Sequence, residues 1–293
     1  MKILYVAKHN SGGNDDEGAI AHALEVLGHS VTRIQEAEGG TAWKQDKGHD
    51  FALVHHWRDT GAIKRIRIPK AFWCFDLIDY PDPTIEPRNK MRRQWANEMT
   101  LSVDRGFMSD GDWVAKDKTG KLRWMMQGAD ERIVAEEPGI GIGIRILFTG
   151  SGRGGVGRDS FIADMKERWG DAFRHIERGV YREQLANLIA ASEVVVCPDH
   201  PATNRYWSNR VYNAAGFGGF VVHPACAGLM EQYPPLSMRW YENRHYLNEI
   251  ISAALNIGRT ERFAVAEQAL EWTKQHHLYR HRCEMLVAVM RGL

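Results

Sequence analysis

The chain has 293 residues, 44% hydrophobic and 26% charged, with a formal net charge of +1. That length suits two domains with ordinary cores, the balanced charge excludes a global polyanion-binding field, and no apolar run reaches the ~20 residues of a transmembrane segment. The four cysteines, Cys74, Cys197, Cys226 and Cys283, form no C-x-x-C pair, which fits buried thiols in a reducing, cytoplasmic setting rather than a zinc site.

The opening "MKILYVA" reads as a buried strand and lacks the long apolar stretch of a signal peptide. It leads into the loop "KHNSGGNDDEG", then "AIAHALEVLGHS", whose helical spacing stops at Gly28, then the strand "VTRIQ". This β-loop-α-β order opens a parallel α/β sheet. "FALVHHW" (51–57), "PKAFWCFD" (69–76), "RGFMSD" (105–110) and "LRWMMQ" (122–127) read as further strands. "PRNKMRRQWANEM" (87–99) reads as a helix with Pro87 in its first turn. "EEPGIGIG" (136–143) suits a connector. "IRILFTG" (144–150) restarts the pattern with a glycine loop, the helix "RDSFIADMKERWG", the strand "FRHIER", the helix "REQLANLIAAS", the strand "EVVVCPD", a helix near Ser208 and the last clear strand "GFVVHP". Beyond Pro235 the chain reads as mostly helical. The expected architecture is α/β, two Rossmann-like βαβ domains (1–137 and 144–275) joined by a linker at 138–143. Ligands are then expected beyond the carboxyl ends of the strands, in a cleft between the domains.

A glycine loop follows the first strand of each half. The first carries Gly12 and Gly13; the second is "GSGRGGVGR", with Arg153 and Arg158. Gly150-x-Gly152-x-x-Gly155 matches the dinucleotide fingerprint in a strand-to-helix context, with Glu177 as the acidic residue of the next strand. Either it cradles a phosphate on backbone N–H groups or it is a tight turn with exposed arginines. In "RYWSNRVYNAAGFGGFVVHP", Ser208 is placed to cap a helix that Arg205 and Arg210 open, and Gly216, Gly218 and Gly219 allow close backbone approach. A diphosphate neutralised without a metal is one reading of that stretch; a buried helix with a glycine C-cap is the other.

Taken together, these residues resemble nucleotide-sugar glycosyltransferases of the two-Rossmann-domain architecture usually called GT-B, in the family 1/family 4-related group that includes the spore-maturation-type proteins. There a run S-x-R-x-(F/Y)-E-x-x-x-x-G-G precedes the last strand. Here it reads Ser208-Asn209-Arg210-Val211-Tyr212-Asn213, then Gly218-Gly219. "ILYVAKHNSGG", "RWMMQGADERIV" (with Gly128 and Asp130), "FTGSG" and "REQLANLIAASEVVVCPD" resemble family segments in the same order, so the similarity spans nearly the whole chain. One position departs: Asn213 stands where the family places the Glu that binds donor ribose hydroxyls, and Asn hydrogen-bonds without charge.

The resemblance implies transfer of a sugar from a nucleoside-diphosphate sugar, a UDP-sugar foremost, to an acceptor hydroxyl, with no essential metal or other cofactor. Gly12, Gly13, Gly150, Gly152, Arg153, Arg158, Ser208, Asn209, Arg210, Tyr212 and Asn213 are the implied donor-binding positions, with Arg210 also stabilising the leaving diphosphate. An inverting path wants a carboxylate base on the acceptor side. Asp76, nearest the strand end in "FDLIDYPDP", is the candidate, ahead of Asp79 and Asp82. Capping and turn formation are the competing roles for these aspartates. His9, His55 and His56 also fall at strand ends, as candidate acceptor wall or ordinary polar groups. Asp110 and Asp112 in "SDGDW" read as a turn. The resemblance also implies that the last helix, 276–293 with "CEMLVAVM", crosses back onto the first domain.

"KRIRIPK" (64–70) and "RNKMRR" (88–93), with Trp57, Trp73 and Trp95 near them in sequence, are either a solvated face or a polyanion surface. In the second case the acceptor is DNA bearing hydroxymethylated bases, as for phage enzymes of this architecture; glycans and small molecules stay open. Two other functions stand beside the transferase. The dinucleotide fingerprint would suit an NAD-dependent oxidoreductase. Asn213 would suit a non-catalytic nucleic-acid-binding module on a degenerate transferase scaffold.

Overall fold

The computed structural model describes residues 1–9, 15–55, 59–80, 85–139, 141, 143–151, 157–177, 179–198 and 203–293. By packing, the chain divides into unit 1, Met1–Gln127 with Tyr279–Leu293, and unit 2, Gly128–Leu278.

Unit 1 is a six-stranded sheet in the order β2-β1-β3-β4-β5-β6. Its strands are β1 (Lys2–Ala7), β2 (Ser30–Gln35), β3 (Phe51–His55), β4 (Lys70–Cys74), β5 (Arg105–Met108) and β6 (Leu122–Trp124), and every pairing is parallel. Both faces are covered, which is why β1 reads as an unbroken apolar run. Period-two alternation sorts its side chains: Ile3, Tyr5 and Ala7 enter one core, Leu4 and Val6 the other. The first core is closed by α1 (Asp16–Val26) and by α11 (Tyr279–Arg291), which contributes Tyr279, Cys283, Leu286, Val287 and Met290. The second is closed by α2 (Thr60–Arg65), α3 (Glu86–Ser102) and a 3-10 segment, Glu36–Lys44, with residues such as Ile63, Ala96 and Met99. The short α4 (Gly111–Ala115) is capped by Asp110, whose carboxylate accepts from Trp113 N–H at 2.9 Å.

Unit 2 is a five-stranded parallel sheet in the order β11-β10-β9-β7-β8. Its strands are β7 (Ile144–Thr149), β8 (Phe173–Ile176), β9 (Ser192–Val196), β10 (Val221–Pro224) and β11 (Arg239–Tyr241). The helices are α5 (Arg158–Trp169), α6 (Arg182–Ala190), α7 (Arg210–Gly216), α8 (Ala227–Met230), α9 (Arg244–Asn256) and α10 (Arg259–His276). Ile146, Phe148, Val194, Val196 and Val222 meet Phe161 of α5 and Leu247 and Ile251 of α9 in one core.

Two features differ from the sequence expectation. Strand β11 lies within the stretch beyond Pro235 that was expected to be mostly helical; its three residues, "RWY", lack an apolar run because β11 is the sheet edge, paired only to β10. The unit boundary falls after Gln127, and the glycine-rich run expected as a linker is docked on unit 2. There Ala135 N–H donates to Gly216 O at 2.9 Å and Gly139 N–H to Gly218 O at 3.3 Å. Gly218 holds φ +74, and a Cβ on it would sit 2.8 Å from Pro138 Cα, so a side chain is excluded both by conformation and by space. All four cysteines are buried free thiols. Among the described residues no helix is long and apolar enough to cross a membrane.

Candidate functional site

The carboxyl edge of the unit 2 sheet gathers cations around Gly150. Gly150 follows β7 with φ +143, a conformation left to glycine. Its N–H donates to Ile176 O at 2.9 Å, and its carbonyl accepts from His175 Nε2 at 2.8 Å, so β8 pins the peptide groups on both sides of one residue. The His175 ring stacks on Phe148, with centroids 5.1 Å apart. Arg210, the first residue of α7, extends its guanidinium across the same edge. Nε donates to Thr149 O at 2.7 Å and Nη1 to Pro198 O at 3.3 Å, and the group lies 5.3 Å from the Phe148 ring centroid. A Cβ on Gly150 would meet Arg210 Nη2 at 2.6 Å. Glycine is therefore required there twice, for its dihedral and for the arginine.

Two more arginines complete the edge. Arg158 begins α5 behind Gly157, which has φ +78, and its Nη1 donates to Ser151 O at 2.9 Å. It thus ties the far end of the glycine loop to its start. Arg244, at the start of α9, donates to Ser160 Oγ at 2.9 Å and to Gly157 O. Three guanidinium groups from separate helices therefore reach the residues on either side of 152–156, a positive cluster suited to an anion, with Arg244 also paired to Asp164 at 3.6 Å.

The residues expected to bind the donor divide. Gly150, Arg158, Ser208 and Arg210 are brought together; the N-cap of α7 is Asn209 rather than Ser208, and Ser208 Oγ instead accepts from Arg210 N–H at 3.2 Å, a local turn two residues ahead of the helix. Helix α7 has only 7 residues, so the arginine side chain, rather than a helix dipole, supplies the positive charge. Tyr212 goes elsewhere: it is fully buried, with its hydroxyl between Trp207 Nε1 (3.0 Å) and Gln232 Oε1 (2.8 Å). Asn213 is buried on the same helix, 8% exposed, and Asn209 lies in the turn before it. Gly12, Gly13, Gly152 and Arg153 lie outside the described residues.

At the start of α1 the carboxyl edge of unit 1 has the opposite character. Helix α1 begins Asp15-Asp16-Glu17, with Asp15 as N-cap accepting from Gly18 N–H at 3.2 Å. Burial is the main cause that raises the Glu17 carboxyl above its ordinary value, with Asp15 adding repulsion. His9, after β1, is buried and donates to Tyr5 O at 3.3 Å; burial lowers its proton affinity. His55 ends β3, buried against Phe75 at 4.3 Å between ring centroids. Asp76 follows β4 in a bend, partly exposed. Asp79 is taken up by ion pairs with Arg93 (2.7 Å) and Lys116 (3.2 Å). His56, Trp57 and Asp82 lie outside the described residues.

Residues 123–288 match the family model described as glycosyl transferase-like. The chain belongs to that family. This glycosyltransferase has no match among curated proteins, but solved structures share its fold over their full length. HepE of Anabaena in complex with UDP-glucose has a TM-score of 0.69 at 13% identity, covering 100% of both chains. Sucrose-phosphate synthase from Thermosynechococcus elongatus has a TM-score of 0.71 at 12% identity, covering 100% of this chain and 98% of that one. An α-glucosyltransferase in complex with UDP and a 13-mer DNA has a TM-score of 0.63 at 10% identity, covering 99% of each. The two parallel α/β units are those of the GT-B architecture, and the family match selects the transferase over the oxidoreductase. Sequence reading of this glycosyltransferase passed over His175 and Arg244. Arg244 reaches Gly157 across 87 positions, and no local motif carries a contact of that span.

Proposed function

We propose that this glycosyltransferase moves a sugar from a nucleoside-diphosphate sugar to an acceptor hydroxyl, without an essential metal. The observation that carries the proposal is the Arg210 guanidinium, anchored on Thr149 O and Pro198 O beside Gly150. Arg210 and Arg158 neutralise the departing diphosphate, the task a divalent cation performs in other transferases. The neighbours bound to UDP and UDP-glucose support a uridine nucleotide as the leaving group. Gly12, Gly13, Gly152, Arg153, Asn209 and Asn213 are further donor-side positions in this reading. Asn213 offers hydrogen bonds to the nucleotide in place of the family carboxylate.

For an inverting transfer, the Asp76 carboxylate takes the acceptor hydroxyl proton as the oxygen attacks the anomeric carbon. The bond from that carbon to the β-phosphate oxygen breaks, and its electron pair leaves with the nucleoside diphosphate, held by the arginines. The anomeric centre gains oxocarbenium character in between.

The DNA-bound neighbour makes hydroxymethylated DNA one acceptor to test. The basic segments of unit 1 give it little support. Lys64 and Arg65 end α2 and Lys70 opens β4, at the amino edge of the sheet, whereas Arg88 and Lys90 lie in the opening turns of α3, at the carboxyl edge. Arg92 and Arg93 are bonded to Leu77 O (3.0 Å) and Asp79 (2.7 Å). Trp73 is wholly buried and Trp95 packs against Phe72, so these rings belong to the core.

The test is product mass spectrometry after offering a panel of nucleotide sugars with glycan, small-molecule and hydroxymethylated-DNA acceptors. A mass gain of one sugar on an acceptor, with release of nucleoside diphosphate, is expected from wild type and not from Arg210→Ala. Equal transfer by both proteins would reject the site.

A further inference from the structure

Tyr212 falls within the run that resembles the family donor signature, yet its side chain is fully buried. Its hydroxyl accepts from the Trp207 indole N–H at 3.0 Å and donates to Gln232 Oε1 at 2.8 Å. Gln232 is itself fixed: its backbone carbonyl accepts from Trp272 Nε1 at 2.7 Å and from His277 Nε2 at 2.9 Å. The ring lies 5.3 Å from that of His277 and 6.3 Å from that of Tyr233.

The Trp207–Tyr212 bond closes over Ser208, Asn209, Arg210 and Val211. Within the closed turn Ser208 Oγ accepts from Arg210 N–H at 3.2 Å, and just past it Asn213 N–H donates back to Asn209 O at 3.1 Å. Arg210 is thus gripped at two ends. Its guanidinium is set by Thr149 O and Pro198 O, and its backbone by a turn that one buried hydroxyl locks to α8 and α10 through Gln232. A guanidinium binds a diphosphate more tightly if it is already in place when the ligand arrives, because a mobile side chain loses rotamer entropy on binding.

We infer that the Tyr212 hydroxyl is a positioning group for Arg210: it acts on the donor site through the Trp207–Arg210 turn and makes no contact with the donor. The inference rests on the proposed donor site and names a group that acts behind it. Tyr212→Phe keeps the ring packing but removes the acceptor for Trp207 and the donor for Gln232, two buried groups that are costly to leave unmet.

The test is a double-mutant cycle with UDP as probe, followed by ligand-observed NMR so that millimolar dissociation constants stay measurable. Y212F is expected to weaken UDP binding about threefold to tenfold, up to what one modest hydrogen bond is worth. In the R210A background the same change should have no further effect, since the group it positions is gone. W207F, which leaves Tyr212 bonded to Gln232, should repeat this pattern and serves if Y212F folds poorly. An equal loss in both backgrounds, or a lower melting temperature with unchanged UDP affinity, overturns the positioning role. UDP affinity unaffected by R210A alone overturns the donor site itself, and the inference with it.

Discussion

The two units begin alike and diverge within a turn. Each opens with a buried strand, β1 or β7, that runs into a glycine loop and a helix. In unit 1 the helix starts with Asp15, Asp16 and Glu17; in unit 2 it starts with Arg158, beside Arg210 and Arg244. Three carboxylates at the start of α1 already complement its dipole and repel a phosphate. The cations of unit 2 attract one. The lesson is that a glycine loop after a strand provides the backbone for an anion site, while the next few side chains decide whether an anion is welcome. On this comparison Gly12 and Gly13 are weaker candidates for phosphate contact than Gly150.

Substitutions can break the contrast, starting with the largest expected effect. Asp76→Asn removes the proposed base from unit 1 and should lower transfer about 10²–10⁴-fold, measured as kcat with saturating donor; full activity would return Asp76 to the role of a turn residue. Arg210→Ala removes the central cation of the basic edge and should cost about 10²–10³-fold in kcat/KM with an unchanged circular dichroism spectrum.

Gly150→Ala tests the geometry rather than the charge. A methyl group would meet both an unfavourable φ and the Arg210 guanidinium. A loss of about 1–3 kcal/mol in stability is expected, with a raised donor KM; a neutral result in both would mean that the loop relaxes freely. Charge exchange sharpens the comparison further. Arg158→Glu should weaken UDP binding about tenfold or more, the scale of a charged hydrogen bond turned into repulsion. Glu17→Gln should leave it unchanged by calorimetry. Matching effects from the two would erase the distinction between the edges.

The smallest effect concerns pH. Burial lowers the proton affinity of His9 in the folded state, so its folded pKa lies below the unfolded one. The stability this contributes is present above about 6.5, the ordinary histidine value, and is lost as pH falls through the folded pKa. The melting temperature of wild type should therefore fall toward that of His9→Gln on acidification, seen in thermal scans from neutral pH downward. Parallel curves would place the His9 ring in water.

Much of the architecture was legible because parallel strands buried on both faces leave continuous apolar runs such as "KILYVA" and "IRILFT". The edge strand β11 was not, since three residues paired on one side need no such run. The core of the candidate site was legible where one short segment holds it: Ser208 and Arg210 are two residues apart and bonded. Tyr212 misled because a helix of 7 residues turns neighbouring positions toward different surroundings, and sequence spacing alone did not show which face met the core. His175 and Arg244 were invisible because they reach the loop from other strands and helices.

Helix α11 carries a consequence for synthesis. It supplies five side chains to a core whose other members come from residues 3–125, so the amino-terminal unit is finished only by a segment made after the whole of unit 2. Unit 2, continuous from Gly128 to Leu278, is complete earlier. Although synthesis proceeds from the amino terminus, the second unit is positioned to mature first, and the first waits with an open hydrophobic flank until α11 has been made.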